Sequence, residues 1–305
     1  MAGSQDFVDD PRNAAVKVFV NGAMVARDAA TVSIFDSGFG MGDGVWEGLR
    51  LHRGRLLFLE AHLDRLMAGA ARLRIAGLTR AALVTALRTT CAANAMTDGA
   101  HLRLMVTRGR KATVNQDPRN TLGTPTLVVT AEYKTPAPRP PGWGLSLATV
   151  PTRCSGPDMF DMRLNTHSRV NLILALWEAI DLGADEALML DPHGAIASCN
   201  ATNLFWVKGG EIFTSTGAYG FNGITRGHVI ALARENKIPL TLGSFPPSAI
   251  KSADEAFLTG TMGGITPVAM VDRHALKPCP GPVTARIDAL YSDLKNQDAA
   301  HGEVA

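Results

Sequence analysis

Phe221-Asn222-Gly223-Ile224-Thr225-Arg226 stands just before a run in which Val229, Ile230, Leu232 and Ala233 recur at helical spacing. A helix that opens here presents backbone N–H groups with no intrahelical partner, a hydroxyl beside them and a glycine that permits close approach. That arrangement holds an anion. The same six residues also read as an ordinary helix start capped by Thr225. A second stretch, Leu258-Thr259-Gly260-Thr261-Met262-Gly263-Gly264, again sets hydroxyls among glycines after a short strand, and by itself it reads equally as a turn.

Working outward, Asn203 to Lys208, Gly209-Gly210 and Glu211 to Thr214 form a hairpin pattern, and Ala184 to Asp191 and Ala195 to Cys199 read as strands around Pro192-His193-Gly194. His167 to Leu182 reads as a helix stopped by Gly183. Upstream, Lys134 to Gly142 carries four prolines in nine residues, which disfavours helix and central strand alike. This segment, 134–142, is therefore expected to link an amino-terminal α/β domain (1–133) to a carboxy-terminal domain (143–305). In the first domain Val16 to Val20 followed by Asn21-Gly22 predicts a strand entering a tight turn. Leu59, Leu63, Leu66, Met67, Ala70 and Leu73 predict one helix and Arg80 to Met96 a second; strands are expected at His101 to Thr107 and Pro125 to Thr130. The tail from Gln297 is expected to fray.

The 305 residues are 46% hydrophobic and carry a formal charge of +2, enough apolar content for two cores and too little charge for the field a nucleic-acid binder uses. Cys91, Cys154, Cys199 and Cys279 form no CxxC pair, so neither a zinc knuckle nor a redox motif is expected, and no metal. Met1 to Asn13 has neither the apolar run of a signal peptide nor the Arg-rich face of a transit peptide. Apolar runs fall short of the about 18 to 20 residues of a membrane span. The expectation is a cytoplasmic protein without nucleic-acid or membrane partners.

Two further stretches make the loops specific: Ser37-Gly38-Phe39-Gly40-Met41-Gly42-Asp43-Gly44-Val45-Trp46-Glu47-Gly48-Leu49-Arg50 and His62-Leu63-Asp64-Arg65-Leu66. With Gly183-Ala184-Asp185-Glu186-Ala187, Asn203-Leu204-Phe205, Gly223-Ile224-Thr225-Arg226 and Asp254 to Thr261 following in order, the chain resembles class IV pyridoxal-phosphate enzymes over roughly residues 16 to 290. That family includes branched-chain and D-amino-acid aminotransferases and aminodeoxychorismate lyase. The resemblance implies an α+β, two-domain fold type IV architecture, a smaller N-terminal domain and a larger β-rich one with a cofactor cleft between them, and a homodimer. It implies pyridoxal or pyridoxamine phosphate as cofactor and a small amino or keto acid as substrate. By position, Arg65, Ser198, Ile224, Thr225, Thr261 and Met262 would meet the cofactor, and Met41, Trp46 and Arg108 the substrate. A guanidinium suits a phosphate because its fork binds two oxygens at once.

The pattern breaks at the residue that matters most. Transamination needs an amine that bonds to the cofactor's aldehyde and moves the α-proton, and lysine does this because burial lowers its pKa. Counting back 19 residues from Ala184 lands on Asn165; a two-residue slip lands on Arg163. Neither an amide nor a guanidinium is a nucleophile at physiological pH. The family's glutamate at the pyridine nitrogen falls on Ser198, and Met41 stands where a tyrosine is common. Three changes together read as divergence rather than a single engineered trap. Of the other lysines, Lys111 in Arg108-Gly109-Arg110-Lys111 has the strongest claim. His167, two residues from Asn165, would be a proton carrier near neutral pKa, or a helix-start histidine bonded to backbone.

Four readings follow. The chain binds the cofactor noncovalently and runs atypical chemistry; it binds a phosphorylated metabolite without turnover; it is a different enzyme on an old scaffold; or it is an active branched-chain or D-amino-acid aminotransferase using an unrecognised base. Arg50, Arg103 and Arg108 are the arginines that would reach a substrate carboxylate.

Overall fold

The computed structural model describes residues 3–301. The chain divides into two compact units, one of Phe7–Thr135 with Leu164–Ser168 and the chain end from Gln297, the other of Pro136–Arg163 and Arg169–Asn296 together with the residues up to Asp6. The expected single boundary is thus too simple, since Leu164–Ser168 leaves the carboxy-terminal part of the sequence and groups with the amino-terminal unit.

That unit is built on β1 (Lys17–Val20), β2 (Ala23–Ala26), β3 (Gly44–His52), β4 (Arg55–Leu56), β5 (Ala100–Thr107) and β6 (Thr126–Tyr133), in the spatial order β2-β1-β6-β5-β3-β4, every neighbouring pair antiparallel. Asn21 and Gly22 take φ of 48° and 94°, both in the left-handed region, so the two-residue turn follows the strands' own twist. Period-two alternation assigns the faces of β3. Val45, Leu49 and Leu51 are buried with Leu102 and Leu104 of β5 under α1 (Leu59–Arg72) and α2 (Arg80–Ala93), which contribute Leu63, Leu66, Leu83 and Leu87. Trp46, Gly48 and Arg50 lie on the opposite face, paired across β3 and β5 with Met105, Arg103 and His101.

The other unit carries a nine-stranded sheet. Its strands are β7 (Leu145–Thr149), β8 (Glu186–Leu190), β9 (Ile196–Cys199), β10 (Asn203–Lys208), β11 (Glu211–Ser215), β12 (Leu240–Gly243), β13 (Glu255–Gly260), β14 (Gly264–Val271) and β15 (His274–Ala275), in the order β9-β8-β7-β14-β13-β10-β11-β12 with β15 on β14. Pairing is parallel at β7–β8, β7–β14 and β11–β12. Helices α3 (Val170–Asp181) and α4 (Ile224–Glu235) belong to this unit, as does α5 (Pro282–His301) up to Asn296.

Two expectations are corrected. The helix expected from His167 begins at Val170, because His167 donates its N–H to Gly44 and Trp46 donates its own to Asn165, so these residues serve as a strand edge instead. The tail from Gln297 continues as helix to His301, with Asp298 accepting the N–H of Phe58, which sits at a positive φ and lacks a side-chain cap of its own. Among the described residues no helix is long and apolar enough to cross a membrane.

Candidate functional site

In the larger unit the loop before α4 is held by Asn203. Its Oδ1 accepts the N–H of Gly223 at 3.1 Å, and its Nδ2 donates to Phe221 O at 2.5 Å and lies 3.2 Å from Ser198 Oγ. A Cβ on Gly223 would stand 2.6 Å from Asn203 Oδ1, so only glycine fits. Gly223, not Thr225, is the N-cap residue, and it makes no side-chain cap bond; the first i to i−4 bond runs from Gly227 N–H to Gly223 O. The reading of Thr225 as a cap is therefore set aside. Ile224 and Thr225 put backbone N–H groups at the positive end of a twelve-residue helix, with nothing from the N-cap side chain to satisfy them.

Thr261 and Met262 sit in the tight turn between β13 and β14, which closes through Gly260 and Gly264, the latter at φ 63°. Tyr291 of α5 joins this turn to the helix start. Its Oη lies 3.3 Å from Thr225 Oγ1, and its ring is the nearest neighbour of a Cβ built on Gly264. Sequence reading missed Tyr291, since a lone aromatic in a polar helix carries no signal of its partners. Thr259 Oγ1, one strand position before the turn, is buried with no hydrogen-bond partner. Ser198 is buried and donates its hydroxyl to Thr202 O at 2.9 Å, so its proton is committed to a carbonyl.

The remaining predicted residues lie in the other unit. Arg65 donates from Nε and Nη2 to the two oxygens of Glu47 at 2.7 and 2.6 Å, and His62 Nδ1 meets the same carboxylate at 2.7 Å. Glu47 is fully buried on the core face of β3. Burial works to raise its pKa, but the bonds from Arg65 and His62 outweigh this and hold it below the ordinary carboxylate value. Arg108, expected at the substrate, spends its guanidinium elsewhere: bidentate on Asp43 at 2.6 and 2.9 Å, and on the carbonyls of Leu73 and Arg74 at the end of α1. Met41, partly exposed, ends the single helical turn Ser37–Met41, which Gly42 closes. Lys111 is buried in its own loop, its ammonium donating to Asn115 O.

Asn165 stands against β3. Its carbonyl accepts the N–H of Trp46 at 2.9 Å and its Nδ2 donates back to Trp46 O. His167 places Nε2 3.2 Å from Val45 O, and Trp46 Nε1 donates to Thr166 O at 3.0 Å. Beside Trp46 the open sheet face is cationic. The Arg103 guanidinium lies 4.3 Å from the Trp46 ring centre, and Arg50 donates to Lys134 O at 2.7 Å. Burial lowers the pKa of both arginines. His101 is pushed down to about 3, first by burial and then by Arg50, Lys134 and Arg103, so its imidazole is neutral at physiological pH. No motif marked His101; only the sheet register brings it beside Arg50.

Residues 44–271 match the family model described as amino-transferase class IV. The chain belongs to the class IV amino-transferase family. It is 37% identical over 93% of its length to branched-chain-amino-acid aminotransferase-like protein 2 of Arabidopsis thaliana, and it spans about half (51%) of that relative's length. Among solved structures it is similar to the T.th. branched-chain amino acid aminotransferase with pyridoxamine 5′-phosphate (26% identity, 93% and 95% of the two chains, TM-score 0.85). It is also similar to 4-amino-4-deoxychorismate lyase from Pseudomonas aeruginosa (31% identity, 91% and 99%, TM-score 0.75). The class IV fold, two domains of mixed α and β structure, is thereby shown. A class IV cofactor's phosphate suits the donors at Gly223–Thr225 and the hydroxyls around Thr259–Thr261. Asn165 and Ser198 carry an amide and a hydroxyl, neither an amine nor a carboxylate.

Two measurements probe this framework. Glu47→Ala strands Arg65 and His62 around a buried gap, and the expected loss is about 3–5 kcal/mol, read from the urea midpoint. Because the folded pKa of Glu47 is lowered, its contribution is present above the unfolded carboxylate value and disappears as pH falls through the folded one. His101, with its folded value depressed, favours the unfolded chain progressively as pH drops from about 6.5 towards 3. His101→Leu is expected to flatten stability against pH in that window, by up to about 1.4 kcal/mol per pH unit.

Proposed function

We propose that this chain binds pyridoxal or pyridoxamine phosphate noncovalently and that its transaminase chemistry is atypical or lost. One observation carries the reading: Asn165, which the motif spacing puts at the position of the family's lysine, is built into a ladder with Trp46 through both its carbonyl and its amide, and amide nitrogen is not a nucleophile. The donor groups of the phosphate site support retained binding. Backbone N–H groups of Ile224 and Thr225 and the hydroxyls of Thr225 and Thr261 would hold the phosphate, with Met262 beside them and Asn203 keeping the loop in place.

A pyridoxal-type cofactor supplies, when bound, a carbonyl that accepts an amine and a ring that withdraws electrons. Ser198, its proton given to Thr202 O, holds no charge against the ring nitrogen, so the ring's pull is weakened. Any α-proton must then be moved by another group. His167, with Nε2 3.2 Å from Val45 O, is our candidate. A substrate carboxylate, from an amino or keto acid, suits Arg103 and Arg50 beside Trp46, where partial burial strengthens attraction for an anion. Arg65 would act on the phosphate with part of its fork already given to Glu47.

A second reading, a phosphometabolite-binding protein without turnover, is favoured by the joint loss of lysine and glutamate. In the alternative of an active aminotransferase using an unrecognised base, Lys111 could serve only by leaving Asn115 O and its buried loop.

Titration with pyridoxal phosphate, followed by borohydride reduction and mass spectrometry, tests the proposal. Saturable binding without a covalent adduct is expected. A single reduced adduct on any lysine of the unaltered chain would overturn it, and absence of binding would point to a different phosphorylated ligand. Asn165→Lys is expected to gain one borohydride-fixed adduct at residue 165. Gly223→Ala, whose methyl collides with Asn203 Oδ1, should weaken binding by about tenfold or more.

A further inference from the structure

Helix α5 opens against β13. Glu255, the buried first residue of that strand, accepts the N–H groups of Val283 and Thr284 at 3.1 and 2.8 Å, and a Cβ on Gly281 would collide with its side chain. A carboxylate in this place takes up N–H groups that have no partner within the helix and meets the positive end of its dipole. The start of α5 is thereby pinned. From there Thr284, Ile287 and Tyr291 follow the i, i+3, i+7 spacing of one face, and each keeps 3% or less of its surface exposed. Roughly 10 Å of helix rise separates Thr284 from Tyr291. The anchor at one end of β13 thus fixes where the phenol stands at the other end, beside Gly264 of the turn that closes the strand.

At that end Tyr291 meets the start of α4. Its Oη lies 3.3 Å from Thr225 Oγ1, and either oxygen could supply the proton between them. Lys295, one turn further along α5, decides which. Its ammonium lies 5.2 Å from the Tyr291 ring centre, and a cation beside the ring draws electron density from the phenol oxygen and favours it as the donor. Thr225 is buried, and among the described residues Tyr291 is the one polar partner of its hydroxyl. When Tyr291 donates, Thr225 Oγ1 accepts and keeps its own proton to give to an anion at the helix start. Hydroxyls linked in this way polarise one another, so a Thr225 that accepts is also the better donor.

We propose that Tyr291 is a positioning residue of the phosphate site: its hydroxyl donates to Thr225 Oγ1 and so turns the Thr225 proton onto an oxygen of the bound phosphate. The inference rests on the proposed reading of Gly223–Thr225 as that site. The backbone N–H groups there can only donate, whereas a threonine hydroxyl both donates and accepts. Left to itself, Thr225 could give its proton back to a carbonyl of its own chain and present lone pairs to the ligand. A phosphate dianion offers acceptors alone, so lone pairs facing it repel. Tyr291 removes that arrangement by occupying the oxygen. The effect is selective for the ligand's phosphate, since the hydroxymethyl group of an unphosphorylated vitamer can itself donate and gains little from a fixed donor.

Calorimetric titration of the full chain with pyridoxamine phosphate and with pyridoxamine, with far-UV circular dichroism as the check on folding, tests this. Tyr291→Phe keeps the ring beside Gly264 and removes only the hydroxyl. It is expected to weaken pyridoxamine phosphate by about fivefold and to leave pyridoxamine unchanged. Thr225→Val should weaken the phosphorylated ligand by about tenfold, and Thr225→Ser, which keeps the oxygen, should retain most of the affinity. Adding Tyr291→Phe to Thr225→Val should change nothing further, because the phenol then has no oxygen to act through. A packing role for Tyr291 would lower both affinities together or add in full to Thr225→Val. Either result, or a Tyr291→Phe chain that holds pyridoxamine phosphate as tightly as the unaltered one, would overturn the inference and leave the phosphate site standing. An unaltered chain that binds no pyridoxamine phosphate would overturn the reading of the site and this inference with it.

Discussion

The backbone ladder between Gly44–Trp46 and Asn165–His167 is the constraint on which the rest of the amino-terminal unit's chemistry depends. Three bonds make it: Trp46 N–H to Asn165 O, His167 N–H to Gly44 O, and Asn165 Nδ2 back to Trp46 O. Together they draw a five-residue segment out of its sequence neighbourhood and fix it along the edge of β3. Strand pairing of this kind sets both register and facing, because a shift of one residue would turn every side chain to the opposite side. Asn165 and His167, two apart, therefore occupy equivalent positions along that edge. The ladder also takes up the Asn165 amide, whose donor would otherwise need a partner in a buried setting.

This ladder explains both what the sequence disclosed and what it withheld. The hairpin at Asn21-Gly22, the amphipathic α1 and the glycine of Gly223-Ile224-Thr225 were legible because each depends on local rules: left-handed φ, helical period and the space beside a helix start. His167 was misread as helical because the alternation from Val170 onwards is helical and no local feature marks where it stops. The partner that overrides helix formation, Gly44, is more than a hundred residues away. Arg108 was legible as a cation but not as a spent one, since Asp43 and the carbonyls of Leu73 and Arg74 reach it only through the fold. Tyr291 and His101 escaped for the same reason. Their roles come from sheet register and helix docking, which no spacing in the sequence encodes.

The phosphate half and the covalent half of the proposed cofactor environment depend on different kinds of group. A phosphate is held by backbone N–H groups and a helix dipole, which survive most side-chain changes provided that the backbone keeps its path. Gly223 and the Asn203 bracket keep it. The covalent and electronic half rests on single side chains, each of which one substitution would remove. On the proposed reading, covalent chemistry can thus be lost while the phosphate-binding backbone at Gly223–Thr225 is kept.

The open face of the smaller sheet sets a further limit on what chemistry can follow. Burial first, and then the charges of Arg50, Lys134 and Arg103, keep the His101 imidazole neutral, and burial also disfavours the charge on both arginines. Glu132 already answers part of this charge, pairing with Lys134 at 2.9 Å, so the surplus positive charge rests on Arg50 and Arg103. A neutral His101 can then accept or donate a hydrogen bond without adding to the positive field, whereas a protonated one would compete with the arginines. In the proposed reading, the attraction of this face for a substrate carboxylate comes from Arg50 and Arg103 together, and it is the same whether the bound molecule is turned over or only retained.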